Sequence, residues 1–391
     1  MLYAALMFEG NRKKIVSKAK YPCKSKESHI YDSSEEEITV DKISDEMPLR
    51  LKGFYSVIAF KPKYILLSRD VIGGKPLYYS KTEFSSFKSF VDGAKSVNPG
   101  EVIKIYYDGY VETKKYEFDQ VFPPDPSKKD WGEIENYLEY IEKKLLKFKA
   151  GDCISFSGGV DSSLLAAIYD VPLVSVTANE KEEEYIKQTA KELGRELYIY
   201  RFGEKEVADA LPEIVKAIEE PNPFHVSIGI PIYFSLKKAK ELGFSSMMFG
   251  QGADELFGGY KKYEDCREDE VYWVLRKDVE LLGINNLERD VKLSYKVEIE
   301  LLTPYLQWDI IKTVMKIPGE YKVRKVGGEI IRKFALRKLA EKYLPREVAY
   351  RQKKAVQYST KTASILEKIA KKEGLTIKGL LERYYENLGN I

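Results

Sequence analysis

Cys153-Ile154-Ser155-Phe156-Ser157-Gly158-Gly159-Val160-Asp161-Ser162-Ser163 is the stretch on which the reading of this chain turns. The short apolar run 152–156 predicts a strand, two glycines follow, and a helix is expected at once over 162–169. Glycines let backbone N–H groups approach an anion with no Cβ in the way. The free N–H groups at the start of the following helix add partial positive charge. Ser157, Ser162 and Ser163 supply hydroxyl donors suited to phosphate oxygens. Asp161 is an acid beside a polyanion, which costs energy unless a cation stands between them, and Mg²⁺ is the natural bridge. A bare Gly-Gly would read as a tight turn with a serine cap. The whole of Ser-Gly-Gly-Val-Asp-Ser-Ser at a strand–helix junction points instead to phosphate binding.

Working outward, strands at 172–176, 196–201 and 245–249 alternate with helices at 183–193 and 231–242. This alternation predicts βαβ crossovers and a parallel sheet covered by helices on both faces. Beyond about residue 270 the pattern is helical and ends in a charged amphipathic stretch, 375–388. Upstream, residues 131–148 carry Ile134, Leu138, Ile141 and Leu145 at helical spacing. Before them, Phe122-Pro123-Pro124-Asp125-Pro126-Ser127 can continue neither a helix nor a central strand, so it reads as a linker. Domains are therefore expected at 1–122 and 128–391. The first reads mainly as β, with strands at 51–60, 63–68, 101–107 and 110–114. Asp108-Gly109 is a hairpin signal between the last two. Residues 1–10 lack a basic flank and a small-residue cleavage site, and predict a first strand rather than a signal peptide.

A second motif lies downstream: Phe249-Gly250-Gln251-Gly252-Ala253-Asp254-Glu255-Leu256-Phe257-Gly258-Gly259-Tyr260, again after a strand. The loop 157–163 resembles the SGGxDS loop of the adenine-nucleotide α-hydrolase (PP-loop) enzymes, which split ATP into AMP and pyrophosphate. It is not a Walker loop, which needs GxxxxGK[ST]. The second motif resembles the SGEGxDEvFGGY segment of asparagine synthetases and β-lactam synthetases. The resemblance implies that Asp161 and Asp254 together hold Mg²⁺ on the phosphates of ATP. It also implies that backbone near Val176 receives the adenine and that Gly250 lines the nucleotide site. Glu219-Glu220-Pro221, Ile230-Pro231-Ile232-Tyr233, Pro304-Tyr305-Leu306, 333–339 and Tyr350-Arg351-Gln352-Lys353 match the family in order. The last of these carries the role of pyrophosphate-contacting lysine to Lys353, with Lys354 its neighbour. The family has Glu where this chain has Gln251, near the reacting centre. Leu302 and Gln307 stand where the family usually has Arg and Asp.

In the front half, Lys52-Gly53-Phe54-Tyr55-Ser56-Val57, Ser68-Arg69-Asp70-Val71-Ile72-Gly73-Gly74-Lys75-Pro76-Leu77-Tyr78-Tyr79 and Asn98-Pro99-Gly100 are similar to class II glutamine amidotransferase domains. Those are N-terminal nucleophile (Ntn) hydrolases, two stacked antiparallel sheets whose first residue is a catalytic cysteine using its own α-amine as base. Here Leu2 follows Met1 where cysteine is required, and no Asn-Gly occurs in the first 60 residues to build an oxyanion hole. The first cysteine, Cys23, has no α-amine adjoining it in sequence. The expected fold is thus an α+β Ntn-hydrolase-like sandwich without hydrolase chemistry, followed by an α/β PP-loop domain with a parallel sheet and C-terminal helices.

The implied reaction is that of a carboxylate, aspartate being favoured, with ATP to give acyl-AMP and pyrophosphate, then attack by an amine or ammonia. The ammonia source would be free ammonia, a separate glutaminase or the substrate itself, and the assembly a homodimer. Two other classes stand beside this. A tRNA-modifying PP-loop enzyme generally needs cysteine pairs, and the three cysteines Cys23, Cys153 and Cys266 form none. A non-catalytic nucleotide-binding regulator would not need Asp161, Asp254 and Lys353 intact. The 391 residues carry 64 basic against 61 acidic side chains, a balance that does not favour nucleic acid. No apolar run approaches the ~18 residues of a membrane span. Sparse cysteines suggest a reducing cytoplasm, and abundant Lys and Glu with only two His fit a heat-adapted protein.

Overall fold

A computed structural model describes residues 1–9, 12–351 and 360–386. The chain divides into two compact units, Met1–Pro124 with Glu280–Glu300, and Asp125–Val279 with Leu301–Ile391. The segment 280–300 lies inside the expected second domain by sequence order, yet it belongs to the first unit. Its Val291 and Tyr295 are buried in that unit's apolar core. Helical spacing alone says that a face will be buried, not against which partner.

The first unit is built from two antiparallel sheets. Strands β1 (Leu2–Glu9), β2 (Arg12–Ala19), β7 (Tyr78–Tyr79), β8 (Glu83–Ser85) and β9 (Lys95–Ser96) make one, in the order β2-β1-β8-β7-β9. Strands β3 (Lys24–Lys26), β4 (His29–Ser33), β5 (Tyr55–Phe60), β6 (Tyr64–Arg69), β10 (Glu101–Tyr106) and β11 (Val111–Lys115) make the other, in the order β11-β10-β6-β5-β4-β3. Leu2, Ala4 and Leu6 from β1 meet Ile30, Ile58, Ile65, Leu67 and Ile103 from the second sheet in one buried cluster. The alternation along β1 sets this, since residues two apart share a face.

The second unit holds a sheet in the order β14-β13-β12-β15-β16: Leu197–Arg201, Leu173–Thr177, Cys153–Ser155, Ser246–Met248 and Glu300–Leu302. The pairs β12/β13, β13/β14 and β12/β15 are parallel, so the parallel sheet expected from the alternation is present. From central β12 the chain runs outward on one side through β13 and β14, then returns to the other side at β15. The strand order therefore reverses between β12 and β15, and such a switch point opens a crevice at the strands' carboxyl ends.

Two helices differ from expectation. Glu204–Ile218, with Pro212 inside it, is a helix outside the expected elements. The helix expected to begin at Pro231 instead runs Pro223–Glu241, with Pro231 internal. Its true start is set by Pro223 in the first turn and by Asn222, whose side chain accepts from Phe224 N at 2.9 Å.

Candidate active site

The loop leaving β12 enters the helix Val160–Ile168 through Gly158, at φ 68°, and Gly159, the N-cap. Its hydroxyls brace it from within. Ser162 Oγ accepts from Ser157 N at 3.2 Å, and Ser157 Oγ and Ser162 Oγ are 3.2 Å apart. Ser163 is fully buried, and its hydroxyl has no hydrogen-bond partner among the described residues. Beside this loop runs the turn after β15. A Cβ at Gly250 would stand 3.0 Å from the Cβ of Asp161, so the glycine lets the two switch-point loops touch. The short helix Ala253–Phe257 then presents Asp254.

The two acids converge on one cation. Lys333 Nζ lies 2.6 Å from both carboxylate oxygens of Asp161 and 2.8 Å from Asp254 Oδ1. The lysine is 1% exposed. Tyr305, fully buried, donates its hydroxyl to the Asp161 carbonyl at 2.8 Å, fixing the loop from below. Arg337, one helical turn beyond Lys333, donates to the carbonyls of Arg332, Ala349 and Arg351 at 2.7, 2.5 and 3.1 Å. Burial lowers its pKa, and Asp161 and Asp254 are among the charges that oppose the change. Over the loop, the Arg351 guanidinium stacks on Tyr185 at 3.3 Å and pairs with Glu182 at 2.6 Å.

Of the residues expected at the site, the fold brings Ser157, Gly158, Gly159, Asp161, Ser162, Gly250 and Asp254 together around the switch point. Gln251 lies in the same turn as Gly250, half-buried. Val176 is buried near the carboxyl end of β13, the strand next to β12. Lys353, with its neighbour Lys354, lies outside the described residues. Lys333 and the Tyr305 hydroxyl were not anticipated as site groups, although both lie in segments already noted. One lysine among 64 basic residues has no signature of its own.

Leu302 packs beside Gly151, ahead of β12, and its carbonyl accepts from the N–H of Phe249, the residue before Gly250, at 2.9 Å. Gln307 donates to the carbonyls of Pro304 and Lys144 at 2.9 and 3.4 Å.

Among the described residues no group of three or more His, Cys, Asp or Glu side chains could hold a metal unaided. Two carboxylates aimed at one point nevertheless suit Mg²⁺, which typically takes one or two carboxylates and completes its shell with phosphate and water oxygens. Asp161 and Asp254 would hold it.

In the first unit the motif around Arg69 and Asp70 serves the fold. Buried Asp70 accepts from the N–H groups of Tyr55, Ile72 and Gly73 at 3.0, 2.9 and 2.7 Å, and Arg69 donates to the carbonyls of Val97 and Gly73 at 2.7 and 2.6 Å. The α-amine absent beside Cys23 in sequence is present in space, since the Met1 ammonium donates to Cys23 Sγ at 3.0 Å. Burial, with Asp32 adding to it, pushes that thiol up to about 12, so it stays protonated at neutral pH. Lys75 pairs with buried Asp32 at 3.0 Å. Burial alone would raise the Asp32 carboxyl, but Lys75 and the Tyr295 hydroxyl outweigh it and hold it low.

The fold and site define a class: an α/β domain in which a Gly-Gly loop and two acids converge at the switch point of a parallel sheet. The asparagine synthase family model matches residues 152–275 and 263–385. The chain belongs to the asparagine synthase family. It is 30% identical to a Methanocaldococcus jannaschii protein named "Putative asparagine synthetase (glutamine-hydrolyzing) 1", over 91% of this chain and 78% of that one. A Dictyostelium discoideum protein named as a probable glutamine-hydrolyzing asparagine synthetase is 25% identical over 79% of this chain and 63% of its own. A Lotus japonicus asparagine synthetase is 27% identical over 54% of this chain and 40% of its own. Among solved structures, a glutamine phosphoribosylpyrophosphate amidotransferase from B. subtilis overlaps 38% of this chain and 48% of its own, with TM-score 0.16 and 14% identity. No described helix is long and apolar enough to cross a membrane. Family membership carries the coarse activity, an ATP-dependent ligase forming C–N bonds.

Proposed function

We propose that this protein activates a carboxylate, aspartate being favoured, as its AMP ester with release of pyrophosphate, and passes the acyl group to ammonia. The observation that carries the reading is the convergence of Asp161 and Asp254 on one buried cationic position beside the 157–163 loop. On this reading the second unit is a PP-loop domain, and the first an Ntn-type sandwich without hydrolase chemistry.

The chain's own groups then have the following work. The N–H groups of the loop and of the helix start at Val160 receive phosphate oxygens. Asp161 and Asp254 position Mg²⁺, which supplies charge neutralisation at the bond that breaks. Lys353 stabilises the departing pyrophosphate. Gln251 orients the amine through its carbonyl oxygen but cannot take its proton near neutral pH. The incoming nucleophile is therefore free NH₃, from solution or from a separate glutaminase. Three features support an absent glutaminase: Leu2 at the nucleophile position, no Asn-Gly in the first 60 residues, and a Cys23 thiol pushed up to about 12. Another acid is the alternative, and Gln251 is what favours it. Leu302 and Gln307 push the same way, since they stand where the family usually has Arg and Asp and leucine cannot pair with a substrate carboxylate.

The test is pyrophosphate release with aspartate, ATP, Mg²⁺ and ammonia, followed by detection of asparagine. Pyrophosphate formed only with a different acid would replace aspartate and keep the chemistry. ADP and phosphate as products would refute both.

A further inference from the structure

Lys333 occupies the place that a cation bound by the two acids would take. Its side chain is 1% exposed, with Nζ at 2.6 Å from both Asp161 oxygens and 2.8 Å from Asp254 Oδ1. The backbone aims it there. Lys333 is held in the left-handed region at φ 57°, immediately before the helix Phe334–Ala340. Its carbonyl accepts from Arg337 N at 2.8 Å, and the next residue's N–H binds the Lys322 carbonyl at 2.9 Å. Gly259 leaves room for the aliphatic stem, since a Cβ there would stand 2.3 Å from Lys333 Cε and 1.8 Å from Asp254 Oδ1.

An ammonium and a divalent ion need the same carboxylate oxygens. Two acids and one lysine already leave a local charge of only −1. A divalent ion entering with the lysine in place would turn that into a buried excess of positive charge, which is costly without partners. A metal arriving with a polyphosphate brings its own negative oxygens, and these offer the displaced ammonium a new partner.

We propose that Lys333 is an internal counter-cation that closes the metal seat until a nucleotide arrives, so that metal and nucleotide bind together and metal does not bind first. This rests on the metal–nucleotide reading of the site. The apparent metal affinity without nucleotide is then the intrinsic one reduced by the fraction of time the ammonium is away. A fraction between about one in ten and one in a hundred weakens binding by about 10- to 100-fold.

The measurement is titration of the purified full-length protein with Mn²⁺, reading free ion by electron paramagnetic resonance, with and without α,β-methylene-ATP. Signal lost in the Asp161→Asn/Asp254→Asn double variant at the same analogue concentration is subtracted as unrelated sites and as chelation by the analogue itself. The expected result is weak Mn²⁺ binding by the wild type alone, tight binding once the nucleotide analogue is present, and nucleotide-independent binding by Lys333→Met about 10- to 100-fold tighter than wild type. Equal affinity of wild type and Lys333→Met without nucleotide overturns the proposal while leaving the metal–nucleotide site standing. Mn²⁺ bound by neither protein even with the analogue overturns the site reading and the proposal with it. Should Lys333→Met not fold, two buried acids then facing each other without a cation, the wild-type titration decides alone: tight, nucleotide-independent Mn²⁺ binding overturns the proposal, and binding only with the analogue upholds it.

Discussion

Lys322 offers a test of how the site's surroundings are built. It is 1% exposed, and among the described residues its ammonium has no ion-pair partner. Its Cβ lies 3.5 Å from where a Cβ would project from Gly258, under the turn that follows Asp254. Burial alone lowers the ammonium from 10.5 to about 7. The sign follows from which state binds the proton. Below about pH 7 both folded and unfolded chains are protonated and the full burial cost is present. Between there and 10.5 only the unfolded chain holds the proton, so stability rises with pH by about 1.4 kcal/mol per pH unit. Above 10.5 the cost is gone. Over that range the cost at neutral pH comes to about 4–5 kcal/mol, an upper figure because relaxation and water penetration reduce it. Lys322→Met removes the charge and nearly conserves volume, a change worth less than about 1.5 kcal/mol in packing. The variant should therefore melt about 10 °C higher than wild type at about pH 7, at ~2–4 °C per kcal/mol for a unit of this size. The gap should narrow steadily towards about pH 10. Calorimetry of both proteins at matched pH cancels every other titrating group. A variant destabilised at neutral pH, or a gap that does not change with pH, would refute the assignment of an unpaired buried ammonium.

Three further outcomes are expected. Asp161→Asn and Asp254→Asn should each cut pyrophosphate release by about a hundredfold or more, since even groups supporting metal ligands cost ~10–100-fold when changed; release unchanged in either variant would remove that acid from the site. The purified protein should liberate no glutamate from glutamine, and mass spectrometry after mild alkylation should find half-buried Cys266 modified before Cys23, whose thiol is buried and pushed up to about 12; early modification of Cys23 with glutamate release would reinstate a glutaminase. Gln251→Glu should raise amide formation, by up to about a hundredfold if it restores general-base help, and most at lower pH where little NH₃ is free; a slower variant at every pH would show that the base is supplied elsewhere.

What sequence alone determined here is local. Glycines and hydroxyls at one strand–helix junction and alternating apolar runs were enough to expect a parallel sheet and to single out Asp161, while Asp254 was singled out by the resemblance of the second Gly-rich segment to asparagine synthetases. Each signal is written within about a dozen consecutive residues, because turn geometry, helix starts and side-chain periodicity depend on near neighbours. What only the tertiary structure decided is whatever needs two distant segments at one point. Lys333 reaches the acids from 172 residues beyond Asp161, and although it opens the noted segment 333–339, nothing local says that its ammonium meets them. The Met1 ammonium meets Cys23 from the far end of the β1/β2 hairpin, and Gln307 donates to the carbonyls of Pro304 and Lys144. The segment 280–300 joins the first unit because Val291 and Tyr295 find that unit's core. An apolar face specifies only that it will be buried, and a charge does not specify its surroundings. Which partner each finds is settled when the whole chain packs.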